Sequence, residues 1–220
     1  MIRARMTTKD KPLELLAGYG RRRWVWLGAP LVLYVWGVAA PFQLDDLHLV
    51  LKAERYARGE QPRLALFEFA PSEDVMQQLI DRGTFPWWTP TNLRIAFWRP
   101  LAELSFYADI LMFGRHVIGH RLVSLVWFAL ALLCVHRLYV RAGADETHAG
   151  VGTLLFGLSQ TVAAPVAFVC NRADLLVVVG TTVAAWGYWS AARPGYKTTL
   201  LAVGGLVFAL LSKEMAIPLV

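Results

Sequence analysis

The hydrophobic positions of this chain fall into long continuous runs that short polar segments separate. The first run, "WVWLGAPLVLYVWGVAAPF", is long enough as a helix to cross the roughly 30 Å of hydrocarbon in a bilayer. Runs of similar character recur towards the carboxyl end. The pattern predicts five membrane spans, over 24–42, 117–140, 149–170, 175–191 and 198–211.

The polar stretch 43–98 follows the first run, and two of its motifs predict local structure. "PSEDVMQQLIDRG" predicts a short helix that Ser72 caps and Gly83 ends, with acidic residues in its first turn. "TFPWWTP" places two tryptophans between prolines, and amphipathic rings of this kind favour the membrane interface. We therefore expect this stretch to be a folded outer segment with an aromatic anchor.

The segment "WRPLAELSFYADILMFG" (98–114) is apolar on one face, but three charged residues interrupt it: Arg99, Glu103 and Asp109. So many charges do not suit a membrane crossing. The pattern predicts an amphipathic helix that lies along the outer membrane surface, within an outer loop over 43–116.

The composition supports a membrane protein, because 56% of the residues are hydrophobic and only 17% are charged. Most of the net charge of +6 comes from residues 1–23, which precede the first span. A basic segment in that position indicates a cytoplasmic tail and not a nucleic-acid partner. Arginine outnumbers lysine, which favours a bacterial inner membrane over the endoplasmic reticulum. Cys134 and Cys170 lie in apolar stretches and have no metal-binding or disulfide spacing.

This topology brings distant ionisable residues to the outer side of the membrane: Asp45, Asp46, Arg99, Arg172, Asp174, Lys213 and Glu214. Ionisable residues at membrane depth are costly and usually face a cavity or a partner. Carboxylates beside an arginine and a lysine can bind an anion and also supply a base. Simpler interpretations remain: a solvated loop start at the aspartates, an Arg172–Asp174 ion pair, and a helix boundary at Lys213–Glu214.

Four segments resemble a known family in their order along the chain: "FQLDDLHLV", "WRPLAELSFYADILMFGRHVIGHRLVSLVWF", "LLFGLSQTVAAPVAFVCNRADLLVVVG" and "LLSKEMAIPLV". They resemble the C-type (GT-C) membrane glycosyltransferases, nearest to the transmembrane-and-tetratricopeptide O-mannosyltransferases and their bacterial homologues. The resemblance covers about 40–220 and is anchored by "RPL", "RAD" and "SKE". It departs from the family at "GHRLVS", which has Arg121 where an apolar or asparagine pattern is familiar, and at "NRAD", which lacks a glycine of the eukaryotic relatives.

The resemblance implies an all-α, polytopic bundle of transmembrane helices with amphipathic helices in its first extracytoplasmic loop. Residues 1–23 would then be a cytoplasmic tail, and 24–220 the amino-terminal part of a longer transmembrane domain. Such a protein transfers a sugar, with inversion, from a polyprenyl-phosphate lipid to a hydroxyl of a protein or glycan acceptor outside the cytoplasm.

The resemblance also assigns roles to the outer residues. Asp45 or Asp46 would be the general base or help to bind a divalent metal, and Asp45 is favoured. Arg172 and Lys213 would hold the lipid phosphate, with Glu214 orienting Lys213. Arg99 and Asp174 complete the expected substrate-binding set.

Two other classes of protein remain open. A lipid transporter or flippase would also gather cations and carboxylates around a lipid phosphate, although its sites usually lie between repeats at the midplane, and the chain shows no internal repeat. A non-catalytic membrane partner is the other alternative. Turnover of a polyprenyl-phosphate sugar distinguishes the enzyme from both.

Overall fold

The computed structural model describes residues 25–43, 45–60, 64–189 and 195–219, and these residues are mostly helical. The predicted basic tail (1–23) and part of the predicted inner loop at 192–197 lie outside the described residues. The helices are α1 Val25–Ala39, α2 Asp45–Ala57, α3 Glu73–Asp81, α4 Pro100–Phe113, α5 Val117–Arg141, α6 Glu146–Leu158, α7 Gln160–Ala167, α8 Arg172–Trp189 and α9 Tyr196–Ser212.

Short 3-10 turns accompany three of the helices. Trp36–Ala39 forms the last turn of α1, Val169–Asn171 precedes α8, and Glu214–Leu219 follows α9. A two-stranded antiparallel sheet pairs β1 (Glu68–Ala70) with β2 (Ile95–Ala96). The described chain is therefore mostly helical, as predicted, and the stretch 43–98 adds a small sheet that the sequence did not predict.

Two helices of the described chain are long and apolar enough to cross a membrane: α5, with a mean hydropathy of 2.0, and Val169–Trp189, with 1.2. The pair α6 and α7 makes a third if its two parts count as one broken span. α1 and α9 are shorter apolar helices. Membrane association is compatible with these helices, and the five-span topology and its orientation stay predictions.

The predicted span 149–170 is not one continuous helix. The two helices meet at Ser159 with a 58° bend, and Pro165 lies inside α7. Ser159 has extended backbone (ψ 147°) and its hydroxyl donates to the carbonyl of Phe156 at 2.7 Å. Its own carbonyl accepts from Val162 and Ala163. One residue therefore ends α6 and begins α7, since a local side-chain bond competes with the helical ladder.

α3 confirms the predicted short helix. The Ser72 hydroxyl accepts from the Val75 amide at 3.4 Å, and Gly83 has a φ of +72° just after the helix. α2 was not predicted, although Asp46, Leu49, Val50 and Ala53 are buried at helical spacing.

α4 is a helix, but its buried side carries two acids as well as apolar residues. Glu103 and Asp109 are each only 1% exposed, whereas Leu104, Leu111 and Met112 are largely exposed. The two acids therefore do not form the exposed polar face that the predicted amphipathic helix on the membrane surface would need. The acids face inward because buried partners on neighbouring elements compensate them, while an apolar outer face suits contact with lipid.

α8 and α9 pack closely through small residues. A Cβ atom on Gly205 would lie 2.5 Å from the backbone nitrogen of Ala184, and one on Gly180 would lie 2.8 Å from that of Ala209. Apolar helices in membranes commonly approach each other in this way. The beginning of α8 and the end of α9 are thereby held side by side.

We predict that Gly205→Ala destabilises the protein by about 1–3 kcal/mol, because the added methyl group meets backbone that must shift. The adjacent Gly204→Ala is the control, since nothing lies within 4 Å of its added Cβ and alanine favours a helix. Thermal unfolding in detergent measures both variants. Equal melting temperatures would contradict the close packing of α8 and α9.

Candidate functional site at one end of the helices

Arg172, the first residue of α8, is almost completely buried (1% exposed) and donates hydrogen bonds from all three nitrogens of its guanidinium. Nε donates to the Ser124 hydroxyl at 3.1 Å, Nη1 donates to the Ser105 hydroxyl at 2.9 Å, and Nη2 donates to the His120 carbonyl at 2.7 Å. Nη1 also lies 2.6 Å from Asp109 Oδ2. Because a buried charge is tolerated only when it is paired and hydrogen-bonded, this set of contacts accounts for the arginine in the core.

His120 lies on the other side of the same carboxylate. Its Nδ1 is 3.2 Å from Asp109 Oδ2, and its Nε2 is 2.9 Å from the Gly114 carbonyl. A carbonyl only accepts, so Nε2 carries a proton. The histidine therefore ties the start of α5 to the end of α4.

Asp46 and Arg121 form a second buried pair. Asp46 Oδ1 accepts from the Cys170 amide at 2.8 Å, and Oδ2 lies 3.9 Å from Arg121 Nη2. Arg121 donates to the carbonyls of Pro41, at 2.9 Å, and Ala167. Its charge also suits the end of α7, where helix carbonyls lack partners. Both side chains act as connectors between α1, α2, α5 and α7.

Asp45, the neighbour of Asp46, is exposed. The two acids therefore differ completely in access, although nothing in the sequence distinguishes them. His48 lies near Asp45, and its pKa is lowered, mainly by burial and secondly by the charge of Lys52. The charge of Asp45 partly opposes this by raising the pKa of His48. Of the two aspartates, Asp45 is the one that a molecule from outside can reach.

Lys213 and Asp174 form an ion pair of 2.7 Å between the end of α9 and the first turn of α8. Arg172 instead contacts Asp109, so the simpler interpretation of an Arg172–Asp174 ion pair is wrong. The Lys213 side chain keeps 18% exposure and that of Asp174 keeps 33%, so solvent reaches both groups.

Arg99 and Glu214 form a bidentate pair. Nε donates to Oε2 at 2.8 Å and Nη2 donates to Oε1, while the guanidinium lies over the rings of Phe67 and Phe97. Burial alone would raise the pKa of Glu214, but its hydrogen bonds, first among them that from Arg99, produce a net lowering. Glu214 thus bonds to Arg99, and the expected orientation of Lys213 by Glu214 is wrong.

A further buried network lies under α2. Glu103 accepts from the Leu66 amide at 3.2 Å and from the Tyr107 hydroxyl, and burial together with this bond raises the pKa of Tyr107. Lys52 donates to the carbonyls of Ala65, Leu66 and Glu68 at 2.5–3.1 Å. These contacts fix the chain before β1 and hold the outer segment on α4.

A groove of about 310 Å³ opens between α4, α5, α8 and α9. Its walls are largely apolar and include Leu101, Trp127, Leu176 and Phe208, with Ser105 and Asp109 as the polar lining. Two wall residues lie just after ion-pair residues in the sequence: Leu101 after Arg99, and Leu176 after Asp174. A third, Phe208, lies five residues before Lys213. The two partly exposed ion pairs are thus close to the groove in sequence, although none of their four residues lines it.

Six of the seven predicted site residues thus make contacts near the beginning of α8 or the end of α9, and the exposed Asp45 makes none of these contacts. The structure separates them into buried residues, Asp46 and Arg172, and residues with access to solvent. The sequence analysis noted Asp109 only as a charge within an apolar segment, and Arg121 only as a difference from the family pattern. It did not predict that Asp109 pairs with Arg172 or that Arg121 pairs with Asp46. Among the described residues, no group of three His, Cys, Asp or Glu side chains is placed to hold a metal ion.

We predict that Arg172→Met lowers the free energy of unfolding by about 3–5 kcal/mol, because it leaves the Asp109 carboxylate buried without its cation. The double variant Arg172→Met/Asp109→Leu should recover part of this loss. Denaturation in detergent measures both. A single variant as stable as the parent protein would contradict a structural role for Arg172.

The Arg99–Glu214 pair predicts that the stability of the protein decreases at low pH. Because the pKa of Glu214 is lowered on folding, its contribution is complete above the ordinary glutamate value of 4.5 and is lost as the pH falls through the folded value. We expect Glu214→Gln to flatten the acid limb of melting temperature against pH. An unchanged acid limb would show that other carboxylates dominate it.

No protein-family model, no curated protein and no solved structure matches this chain. The candidate site is therefore defined by the geometry of its own residues.

Proposed function

We propose that the chain is a membrane glycosyltransferase that moves a sugar from a polyprenyl-phosphate lipid to an acceptor hydroxyl at the outer face. The observation that supports this most is the gathering of ionic groups from separate segments at one end of apolar helices. Asp45 is exposed, the side chains of Lys213 and Arg99 are 18% and 11% exposed, and an apolar groove opens between α4, α5, α8 and α9.

The groove and the ion pairs together suit a lipid with an anionic head. A polyprenyl chain would lie against the apolar walls, where burial of its methylene groups is favourable. Its phosphate would then reach the partly exposed Lys213 or Arg99. The phosphate would compete with Asp174 or Glu214 for the cation, and water, which already reaches these carboxylates, would solvate the one that is displaced.

Asp45 is our candidate for the general base. A hydroxyl is a weak nucleophile, and a carboxylate that takes its proton assists the attack. In the proposed step the acceptor oxygen bonds to the anomeric carbon from the side opposite the phosphate, and Asp45 takes the hydroxyl proton. The carbon–oxygen bond to the phosphate breaks, its electron pair leaves with the phosphate, and Lys213 or Arg99 stabilises the developing charge.

Arg172 has a different role in this proposal from the one its motif suggested. Its donors already have protein partners, so it is not assigned to the lipid. It instead fixes the first turn of α8, which carries Asp174, against α4 and α5. The lipid contact is assigned to Lys213 and Arg99, whose side chains retain access to solvent.

We predict that Asp45→Asn reduces sugar transfer by about 10²–10⁴-fold, because asparagine keeps the size but does not accept the proton. Donor binding and the melting temperature should change little. The assay uses the whole chain in liposomes with undecaprenyl phosphate that carries a labelled hexose or pentose, and with hydroxyl peptides and oligosaccharides as acceptors.

Asp46→Asn is the matched control, since it changes the adjacent carboxylate, which is buried. We expect it to lower stability through the contact with Arg121 while transfer per folded molecule stays within about tenfold of the parent, less than the loss of a base would cause. Lys213→Met should weaken donor binding, whereas Lys197→Met, at the other end of α9, should not. If Asp45→Asn transfers sugar normally, Asp45 is only a solvated residue at a helix start.

The same liposomes test the other two classes of protein. Movement of the labelled lipid between leaflets without sugar transfer would indicate a flippase. Lipid binding without either activity would indicate a non-catalytic membrane partner. Each of these results would overturn the proposed enzyme.

A further inference from the structure

Residues 82–98, which we call the tryptophan loop, join α3 to α4 and present three uncovered indoles. Trp87 is 83% exposed, Trp88 is 68% exposed and Trp98 is 62% exposed. The rings of Trp87 and Trp88 meet only edge to face, with centroids 5.5 Å apart. Because a tryptophan buries 150–250 Å² when it is covered, three exposed rings in one loop indicate a binding surface.

The loop has a defined shape. The amides of Thr84 and Phe85 donate to the Leu79 carbonyl, the Thr89 amide donates to the Pro86 carbonyl, and the Phe97 amide donates to the Phe67 carbonyl. β2 within the loop also pairs with β1. The indoles are therefore held on the outside by an ordered backbone, so little conformational entropy would be lost when they bind.

The attachment of the loop sets its height relative to the apolar helices. Trp98 immediately precedes Arg99, and Arg99 is bonded to Glu214 just after the end of α9. The neighbouring Lys213 is bonded to Asp174 near the start of the candidate span Val169–Trp189. The loop thus joins the molecule where the apolar helices end, which is the depth of lipid headgroups.

Aromatic side chains also mark the opposite end of the same span. Tyr188 and Trp189 are exposed there, about 25 Å from Arg172 at 1.5 Å per residue. This separation is close to the roughly 30 Å of a bilayer core. Indole and phenol rings favour both interfaces of a membrane, and Trp98 lies at the level where the second set is expected.

The charge of the loop suits lipid phosphate. Residues 82–98 contain Arg82 and Arg94 and have no acidic residue, and both arginines are exposed. The acids nearest in sequence belong to α3, where Asp81 already accepts from Gln77. A guanidinium pairs well with a phosphate oxygen, so the arginines complement the headgroups that surround the indoles.

We propose that the tryptophan loop docks on the bilayer that the apolar helices cross. Trp87, Trp88 and Trp98 insert at the headgroup layer, and Arg82 and Arg94 bind lipid phosphates. The loop then holds the small sheet against the membrane surface. This docking does not depend on the proposed transfer reaction.

Spin labelling at single positions of the intact chain tests the docking. A spin label is attached at Trp87→Cys, with Cys134 and Cys170 replaced by alanine, in vesicles of phosphatidylcholine with or without phosphatidylglycerol. The matched control is Gln78→Cys on α3, also exposed but outside the loop. Collisions with oxygen and with a water-soluble nickel chelate report the depth of each label.

We expect the label at position 87 to collide several-fold less with the nickel chelate, and more with oxygen, than the label at position 78. Anionic lipid should increase this protection, and Arg82→Gln/Arg94→Gln should remove that increase. If Trp87→Cys does not fold, Asn92→Cys on the exposed part of the loop gives the same readout. Equal chelate access at loop and control positions overturns the proposal, and the indoles would then be available to a soluble protein.

Discussion

The buried pairing of Arg172 with Asp109 is the contact on which this end of the molecule depends. Arg172 begins α8, Asp109 and Ser105 belong to α4, and Ser124 and the His120 carbonyl belong to α5. A guanidinium can donate in several fixed directions at once, so one side chain sets the positions of three helices. The pair is tolerated because each charge compensates the other where water is absent.

The same requirement explains why α4 has its charges inside. Once Arg172 is buried at the start of α8, a carboxylate must face it, and α4 supplies Asp109 while Glu103 binds the chain before β1. Ala102, Phe106 and Ile110 are buried on the same side as these acids, whereas Leu104, Leu111 and Met112 face outward. Exposed apolar side chains are unfavourable in water. Beside lipid they are expected, because the hydrocarbon chains solvate apolar surface.

The site combines rigid buried charges with accessible ones. Asp46 and Arg121 connect the first helices to α7, and they leave Asp45 exposed at the start of α2. Lys213 and Arg99 have carboxylate partners but keep partial exposure, so an incoming anion can compete for them. In the proposed reaction, these two cations would stabilise the charge that develops on the leaving phosphate.

The sequence alone determined the features that depend on local physics. Capping and the stop glycine predicted α3, continuous hydrophobicity predicted α5, and the charge pattern indicated that ionic residues gather at one end. Tertiary structure decided which charges meet, because Lys213 and Asp174 are 39 residues apart, and Arg99 and Glu214 are 115 apart. It also decided that Asp46 is buried and Asp45 is not, since adjacent residues on a helix point to different faces and only packing selects the buried one.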